Sequence, residues 1–249
     1  MSFRRIIPVA FLGAALIVWE LLVRLLKVPA YLLPAPSAIF AAVDLRLLGD
    51  LSVTLAEALA GFSIAALGAF LAALAFVRWP LLEEGLFPVA ITLKTTPLVA
   101  IAPLLVLWMG TGMWSKITAA ALICFFPVLV NTVKGLKAAD AEYYELFRSL
   151  DATRAQEFWK LRIPYCLPYL FSALKISASL AIVGAVVGEF VGATRGLGYL
   201  ITVSSSHLDT DILFSAVFAA AGAGIVLFHV IHWLEGRLIF WQQGDGGMS

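Results

Sequence analysis

Long apolar stretches alternate along the chain with short polar breaks, and the stretches are about as long as a membrane is thick. A helix needs roughly 20 predominantly apolar residues to cross the hydrocarbon core. Residues 8–26, 51–77, 86–107, 117–133, 167–190 and 212–234 meet or approach that length. They predict an all-α, polytopic membrane protein with six transmembrane helices. The first stretch carries Glu20 and Arg24, an i,i+4 pair able to neutralise itself toward one end. The third holds Pro97 and Pro103 and is expected to be kinked or broken. Such breaks survive in a membrane only against protein or a wet cavity.

The connection between the fourth and fifth stretches, residues 134–165, is long and rich in both charge signs. Within it Tyr143, Leu146, Phe147 and Leu150 recur at spacings of three and four, an amphipathic helical stripe. Asp140 and Glu142 precede the stripe, as suits a helix N-terminus. Ile163-Pro164 and Leu167-Pro168 then punctuate the entry to the next span. A short helix lying across the membrane face is shaped to touch a partner, and the same pattern also fits a helix resting on lipid headgroups.

Composition sharpens the class. Of 249 residues, 62% are hydrophobic and 13% charged, with a mean hydropathy of +0.98. A typical soluble domain is about 45–50% apolar and about 25% charged. A water-soluble globule of this size could not hide so much apolar surface, which excludes a secreted disulfide scaffold, a disordered chain and an ordinary cytosolic enzyme. The net charge of +1 gives no basic field for nucleic acid. Cys124 and Cys166 lie in or beside apolar stretches without metal-ligand spacing and read as small hydrophobes. Met1–Arg5 followed by an apolar run resembles the start of a signal peptide, but the run is too long and no A-x-A site follows. It reads as an uncleaved first span. With the N-terminus cytoplasmic, eleven basic residues fall inside and five outside. The positive-inside rule therefore places both termini in the cytoplasm.

A family resemblance enters at the long loop. Importer permeases of the ATP-binding-cassette (ABC) class carry a cytoplasmic signature of the form E-A-A-x3-G-x9-I-x-L-P. Glu145-Leu146-Phe147, then Asp151, then Leu161-Arg162-Ile163-Pro164 fall at those spacings. Leu and Phe replace the two alanines. Asp151 stands where the family usually has a glycine that ends a short helix in the left-handed conformation, which Asp tolerates better than most residues. The resemblance extends over nearly the whole chain from about residue 30. Leu33-Pro34-Ala35-Pro36-Ser37, Thr54-Leu55, Gly61-Phe62, Ala102-Pro103-Leu104, Ser115-Lys116, Phe126-Pro127 and Gly196-Leu197-Gly198-Tyr199 are similar to the nitrate, sulfonate and taurine branch. Glu57 departs from it, sitting where an arginine is common.

The resemblance implies a single transmembrane permease domain over residues 1–249, of the type I importer fold, multi-pass in the plasma (inner) membrane. It implies a second permease subunit in a homodimer, two cytoplasmic ABC ATPases and an external substrate-binding protein. ATP and Mg would sit on the ATPases and no cofactor on this chain, which has no catalytic residues of its own. The absence of any G-x-x-x-x-G-K-[ST] loop agrees with that. Substrates of the resembled branch are small anions such as nitrate, taurine and alkanesulfonates, and near relatives take vitamin precursors of pyrimidine or riboflavin type. Two rival classes remain: an ion-coupled secondary carrier or channel, which would need no ATPase, and an intramembrane hydrolase, for which no catalytic constellation is visible.

Glu145, Leu146, Phe147, Arg148, Leu150, Asp151, Arg154 and Pro164 are then the expected ATPase-coupling residues, the apolar ones plugging a groove and the charged ones rimming it. Lys94, Thr95, Thr96 and Pro97 are candidates for the translocation path, with snorkelling to the cytoplasmic face as the rival role of Lys94. Glu189, near the outer end of the fifth span, is a candidate gate residue, with snorkelling to the outer headgroups as its rival. Gly184, Gly188, Gly192 and Gly196 form a ladder at intervals of four and are expected to pack helices closely. His229, His232 and Glu235 are expected to hold no metal, and Ser204, Ser205, Ser206 and His207 to form a plain external polar loop.

Overall fold

In a chain apolar almost everywhere, small residues decide which face of a helix turns inward. The computed structural model describes residues 3–239, with side chains except at 3–6, 8, 9, 93 and 94. Its regular elements, among the described residues, are all helical. In order they are α1 (Phe3–Leu25), α2 (Pro36–Ala41), α3 (Leu45–Arg78), α4 (Pro80–Thr95), α5 (Leu98–Met109), α6 (Met113–Leu136), α7 (Ala141–Ser149) and α8 (Arg154–Glu157). A π-helical turn (Phe158–Arg162) leads into α9 (Ile163–Glu189), followed by α10 (Leu197–His207) and α11 (Thr210–Leu238).

Helix α3 shows the sorting. Its inward stripe is Ala58, Gly61, Ala65, Ala69, Ala73 and Phe76, at spacings of three and four, while Leu59, Ile64, Leu67 and Leu71 face outward. Small inward residues let backbones approach, and lipid accepts the leucines at no cost. The central bundle is α3, α6 and α9, with α11 and α10 packed beside it. A Cβ on Gly61 would lie 2.6 Å from both Ala120 Cβ and the Ile117 carbonyl oxygen, and one on Gly184 2.6 Å from Ala120 Cα. Helices α3 and α9 therefore meet α6 at the same alanine. One apolar cluster (Ala73, Phe76, Val133, Leu136, Cys166, Ala173) fills the end of the bundle nearest α7, and another (Ala58, Ala65, Ala120, Cys124, Ala181, Ala185) fills its middle.

Among the described residues, four helical segments are long and apolar enough to cross a membrane: Leu45–Arg78, Met113–Leu136, Arg154–Glu189 and Thr210–Leu238. At 34 residues, α3 is about 51 Å long against a hydrocarbon core of about 30 Å. It starts six positions before the expected span because the Asp44 side chain caps it, accepting from the Leu47 N–H at 2.8 Å. The stretch expected to break does so: Thr96 and Pro97 interrupt the helix between α4 and α5. Pro97 disfavours a helical conformation for the residue before it. Helix α1 is tied to α2 by Glu20, whose carboxylate accepts from the Ser37 N–H at 3.0 Å, the Ser37 hydroxyl at 2.8 Å and Arg24 Nε at 2.5 Å.

One expectation is corrected here. The stretch Ser204, Ser205, Ser206 and His207 is not an external loop but the last turn of α10, with Ser204 buried. Small polar residues have modest helix propensity and read as a loop. Tertiary bonds at the start of α10, described below, override that preference.

Candidate functional site

Helix α7 buries none of its residues. Its apolar side chains stay uncovered: Tyr143 is 42% exposed, Leu146 51% and Leu150 70%. Two ring contacts tie the helix to the segment that follows, Tyr143 against Tyr165 at 5.7 Å and Tyr144 under the Arg162 guanidinium at 5.3 Å, and local bonds fix its end. At its C-terminus Asp151 takes a left-handed conformation (φ 51°). The Asp151 N–H donates to the Arg148 carbonyl at 3.1 Å and the Ala152 N–H to the Phe147 carbonyl at 3.0 Å. That is the paired bonding of a Schellman turn, with Asp151 where glycine is usual. Thr153 then opens α8 with a capping box: its hydroxyl accepts from the Gln156 N–H at 3.3 Å and its own N–H donates to Gln156 Oε1 at 2.8 Å. Glu145, Arg148 and Arg154 are exposed around the stripe.

The π-turn after α8 follows from Pro164. Without an N–H, Pro164 cannot bond the Lys160 carbonyl, and the Ile163 N–H reaches instead to the Phe158 carbonyl, widening the turn. This turn joins the surface segment to α9 as one continuous helical run, Arg154–Glu189.

A cavity of about 640 Å³ opens along the α4–α5 break, walled by α5, α6 and α9. Thr95 and Thr96 form its polar edge, and the rest of the lining is apolar, including Pro97, Ile101, Trp108, Phe126 and Leu180. The Thr95 and Thr96 hydroxyls both donate to the Thr92 carbonyl oxygen, at 2.8 and 3.3 Å, just before the break. The side chain of Lys94 lies outside the described residues. On the cavity side α5 leaves Trp108 70% exposed.

A buried polar layer closes the opposite end of the bundle from α7. Asp50, Thr54 and Glu57, at i, i+4 and i+7 on α3, all face inward and are at most 4% exposed. Glu189, at the end of α9, is 1% exposed and does not snorkel. Its Oε1 accepts from the Thr54 hydroxyl at 2.6 Å and its Oε2 from the Gly198 N–H at 2.5 Å. The Leu197 N–H donates to Thr54 Oγ1 at 2.8 Å, and the Gly196 N–H to Asp50 Oδ1 at 3.0 Å. Three consecutive amides at the start of α10 thus find acceptors on α3 and α9, as an N-terminus requires. Lys116 on α6 is 2% exposed and donates to the Thr111 carbonyl at 2.5 Å and the Gly112 carbonyl at 3.1 Å. Glu57 lies beside Glu189 and Lys116, and its Oε2 is buried with no hydrogen-bond partner. Sequence reasoning picked out Glu189 but not its partners. The signal was available in the i, i+4, i+7 spacing of Asp50, Thr54 and Glu57.

The glycine ladder divides in two. Gly184 and Gly188 lie within α9 against α6, where a Cβ on Gly188 would sit 3.0 Å from Lys116 Cα. Gly192 and Gly196 lie beyond the helix end, with φ of 76° and 109°. A Cβ on Gly196 would fall 2.3 Å from Glu189 Oε1. The ladder is therefore not one helical face: its outer half shapes the turn that lets the backbone reach Glu189.

Elsewhere, Glu235 Oε2 accepts from Lys175 Nζ at 2.7 Å and lies 3.2 Å from His232 Nδ1, while His229 Nδ1 is 2.8 Å from the Ile225 carbonyl oxygen. Cys124 and Cys166 are buried thiols, and Cys124 donates to the Ser177 carbonyl at 3.1 Å.

Comparison with known proteins places these features in context. Residues 64–240 match the family described as binding-protein-dependent transport system inner membrane component. The chain is 35% identical to the formylaminopyrimidine transport permease protein of Halalkalibacterium halodurans, over 97% of this chain and 98% of that one. It is 36% identical to the riboflavin transport system permease protein of Chloroflexus aurantiacus, over 91% and 87%. It is 26% identical to the taurine transport system permease protein of Escherichia coli, over 95% and 90%. Among solved structures, the MetNI methionine ABC transporter in an inward-facing conformation shares the fold, with a TM-score of 0.56 at 19% identity, over 77% of this chain and 91% of that one.

Proposed function

The chain belongs to the binding-protein-dependent transport system inner membrane components, non-catalytic permease subunits of ABC importers, and we propose that α7 and the α4–α5 break are its two working parts. In this reading α7 docks on a cytoplasmic ATPase, and the cavity at the break is one wall of the path, completed by a second permease copy. α1 and the α4–α5 pair supply the two crossings beyond the four membrane-length helices, and both termini are cytoplasmic.

The carrying observation is α7 itself. Its stripe of Tyr143, Leu146 and Leu150 is uncovered, yet the helix is fixed at its end by the Asp151 turn and the Thr153 capping box. A rigid, apolar, unburied helix on a protein surface is suited to helix-in-groove docking. Because the π-turn continues into α9, a displacement of the docked helix is passed to a helix lining the cavity. Rigid elements moving as levers are the ordinary means by which such bundles switch between inward- and outward-facing states.

The cavity lining bears on substrate class. Its described side chains carry two threonine hydroxyls and no charge, against a wall of aliphatic and aromatic groups. An inorganic anion would lose hydration there without a compensating partner. An organic molecule with a flat or apolar body, such as a pyrimidine or flavin-type vitamin precursor, suits the wall better than nitrate.

The test is reconstitution of the chain with its ATPase and binding protein in proteoliposomes. ATP-dependent uptake of a labelled aminopyrimidine or flavin, exceeding that of nitrate and taurine, is the expected result. Uptake without ATP, driven by an ion gradient, would overturn the importer reading. Preferential uptake of nitrate would overturn the substrate class alone.

A further inference from the structure

A second cavity, of about 430 Å³, lies on the α7 side of the bundle and is walled by Leu74, Val77, Arg78, Arg154, Glu157, Phe158 and Arg162. It brings together three segments: the last turn of α3, the start of α8 and the π-turn. Its chemistry is divided. Leu74, Val77 and Phe158 make an apolar floor, and three guanidinium groups stand with a single carboxylate around it.

That carboxylate is already engaged. Glu157 Oε1 accepts from Arg162 Nε at 3.0 Å and Nη2 at 2.7 Å, and the Arg162 guanidinium also lies over the Tyr144 ring at 5.3 Å. Arg162 is thus held in place. Arg78 and Arg154 have no carboxylate within ion-pair distance among the described residues. The cavity therefore carries two uncompensated positive charges beside an apolar floor. Guanidinium forks suit phosphate oxygens, which they can bind two at a time.

The position selects the source of the phosphate. Trp79, next to Arg78, is 55% exposed, and Trp159, next to Phe158, is 67% exposed. Exposed tryptophans at the ends of membrane-length helices mark the headgroup level of a bilayer. The arginines thus lie at the depth of lipid phosphates, and the apolar floor suits the glycerol and upper acyl carbons.

We propose that the cavity between Arg78, Arg154 and Arg162 binds the phosphate of an anionic phospholipid from the leaflet on the α7 side, seating a lipid against the root of the segment that enters α9. The site is separate from the substrate cavity, and it shares only Arg154 with the rim of the α7 stripe. A bound lipid would brace α3 against the π-turn, so that membrane composition tunes the stiffness of this junction. The proposal does not depend on which substrate is carried.

The experiment uses the permease with its ATPase in nanodiscs of phosphatidylcholine alone or mixed with phosphatidylglycerol. Retained lipid is read by native mass spectrometry after transfer to detergent, and thermal unfolding is followed in parallel. Wild type should keep phosphatidylglycerol and unfold at a higher temperature in the mixed discs. Arg78→Gln should lower retention about fivefold, the loss of a single juxtamembrane charge, while Arg78→Lys should fall between. Arg46→Gln, at the far end of the same helix, should match wild type. Equal retention by wild type and Arg78→Gln would overturn the proposal. So would Arg78→Gln destabilising the protein equally in phosphatidylcholine alone, which would mark a structural arginine, or releasing the ATPase there, which would mark a protein contact. If millimolar orthophosphate in phosphatidylcholine discs reproduces the stabilisation, the ligand is free phosphate and the lipid source is wrong.

Discussion

The Thr54 hydroxyl donates to Glu189 Oε1 at 2.6 Å across 135 positions of chain, and the same oxygen of Thr54 accepts the Leu197 N–H at 2.8 Å. One hydroxyl therefore joins α3, α9 and α10. Thr54→Val keeps the shape and removes both bonds, leaving a buried carboxylate oxygen and a buried amide short of partners. Roughly 3 kcal/mol of stability should be lost. Thermal unfolding of the detergent-purified subunit is the measurement, and Thr54→Ser should recover most of the loss. An unchanged midpoint for Thr54→Val would show the layer to be energetically idle.

Glu57 invites the opposite change. Its Oε2 is buried without a partner beside Glu189, in a position where the resembled branch commonly has arginine. Glu57→Gln substitutes an amide that can donate toward Glu189 and removes a carboxylate from a poorly solvated pair. Relief of one unsatisfied buried group is worth about 1–3 kcal/mol. The unfolding midpoint should rise by several degrees, and a fall would mean that Lys116 depends on the Glu57 charge.

At Gly196 the backbone, not the side chain, is the requirement. An alanine there would need φ of 109° and would drive its Cβ to 2.3 Å from Glu189 Oε1. Gly196→Ala should abolish stable insertion, read as loss of full-length protein from the membrane fraction. Gly85→Ala, where nothing lies within 4 Å, should be neutral or mildly stabilising. Equal yields of the two variants would refute the close approach.

Asp151 holds a left-handed conformation at φ 51° without being glycine. Asp151→Gly should stabilise the α7 C-terminus by up to about 1 kcal/mol, less than the 1–2 kcal/mol typical of left-handed strain because Asp suffers less than most. Hydrogen exchange at the Ala152 amide, which donates to Phe147, should slow by a few-fold. Asp151→Val should speed it.

Leu150→Asp tests docking. Leu150 is 70% exposed, so the folded subunit should tolerate the change. In a docked groove the loss of a leucine is worth roughly 1.5–3 kcal/mol, with an added cost for a desolvated carboxylate. ATPase co-purification should fall about tenfold or more. Retention of the ATPase with unaltered stimulated hydrolysis would show that α7 lies on lipid instead.

The four membrane-length helices were legible because length and apolarity announce them, and α7 because its stripe keeps helical spacing while Asp140 marks its start. The break at Pro97 was legible from proline chemistry alone. Hydropathy did not reveal which faces turn inward, since beyond Glu57 α3 is apolar nearly all round; the information lies in residue size, in Gly61 and Ala65 as against Leu59 and Leu67. Nor did it reveal α10. Gly196 read as a rung of a packing ladder and the serines as a loop, and only the distant acceptors Asp50, Thr54 and Glu189 set the start of that helix. The arginine cavity was illegible for a similar reason: Arg78 and Arg162 are far apart in sequence and belong to different elements, each explained separately by the inside bias of basic residues.

The shared contact at Ala120 has a genetic consequence. Glycine is the smallest residue, so every missense change in the Gly61 or Gly184 codon adds at least a Cβ. At Gly61 that atom would meet Ala120 Cβ, which a second mutation could remove, but also the Ile117 carbonyl and the Ala121 nitrogen, which none can. At Gly184 it would meet Ala120 Cα and the Ala119 carbonyl, again beyond the reach of substitution. No pair of point mutations offers a compensated route away from either glycine. A library randomised at both codons and selected for function should return the starting residues, whatever is allowed to vary at position 120.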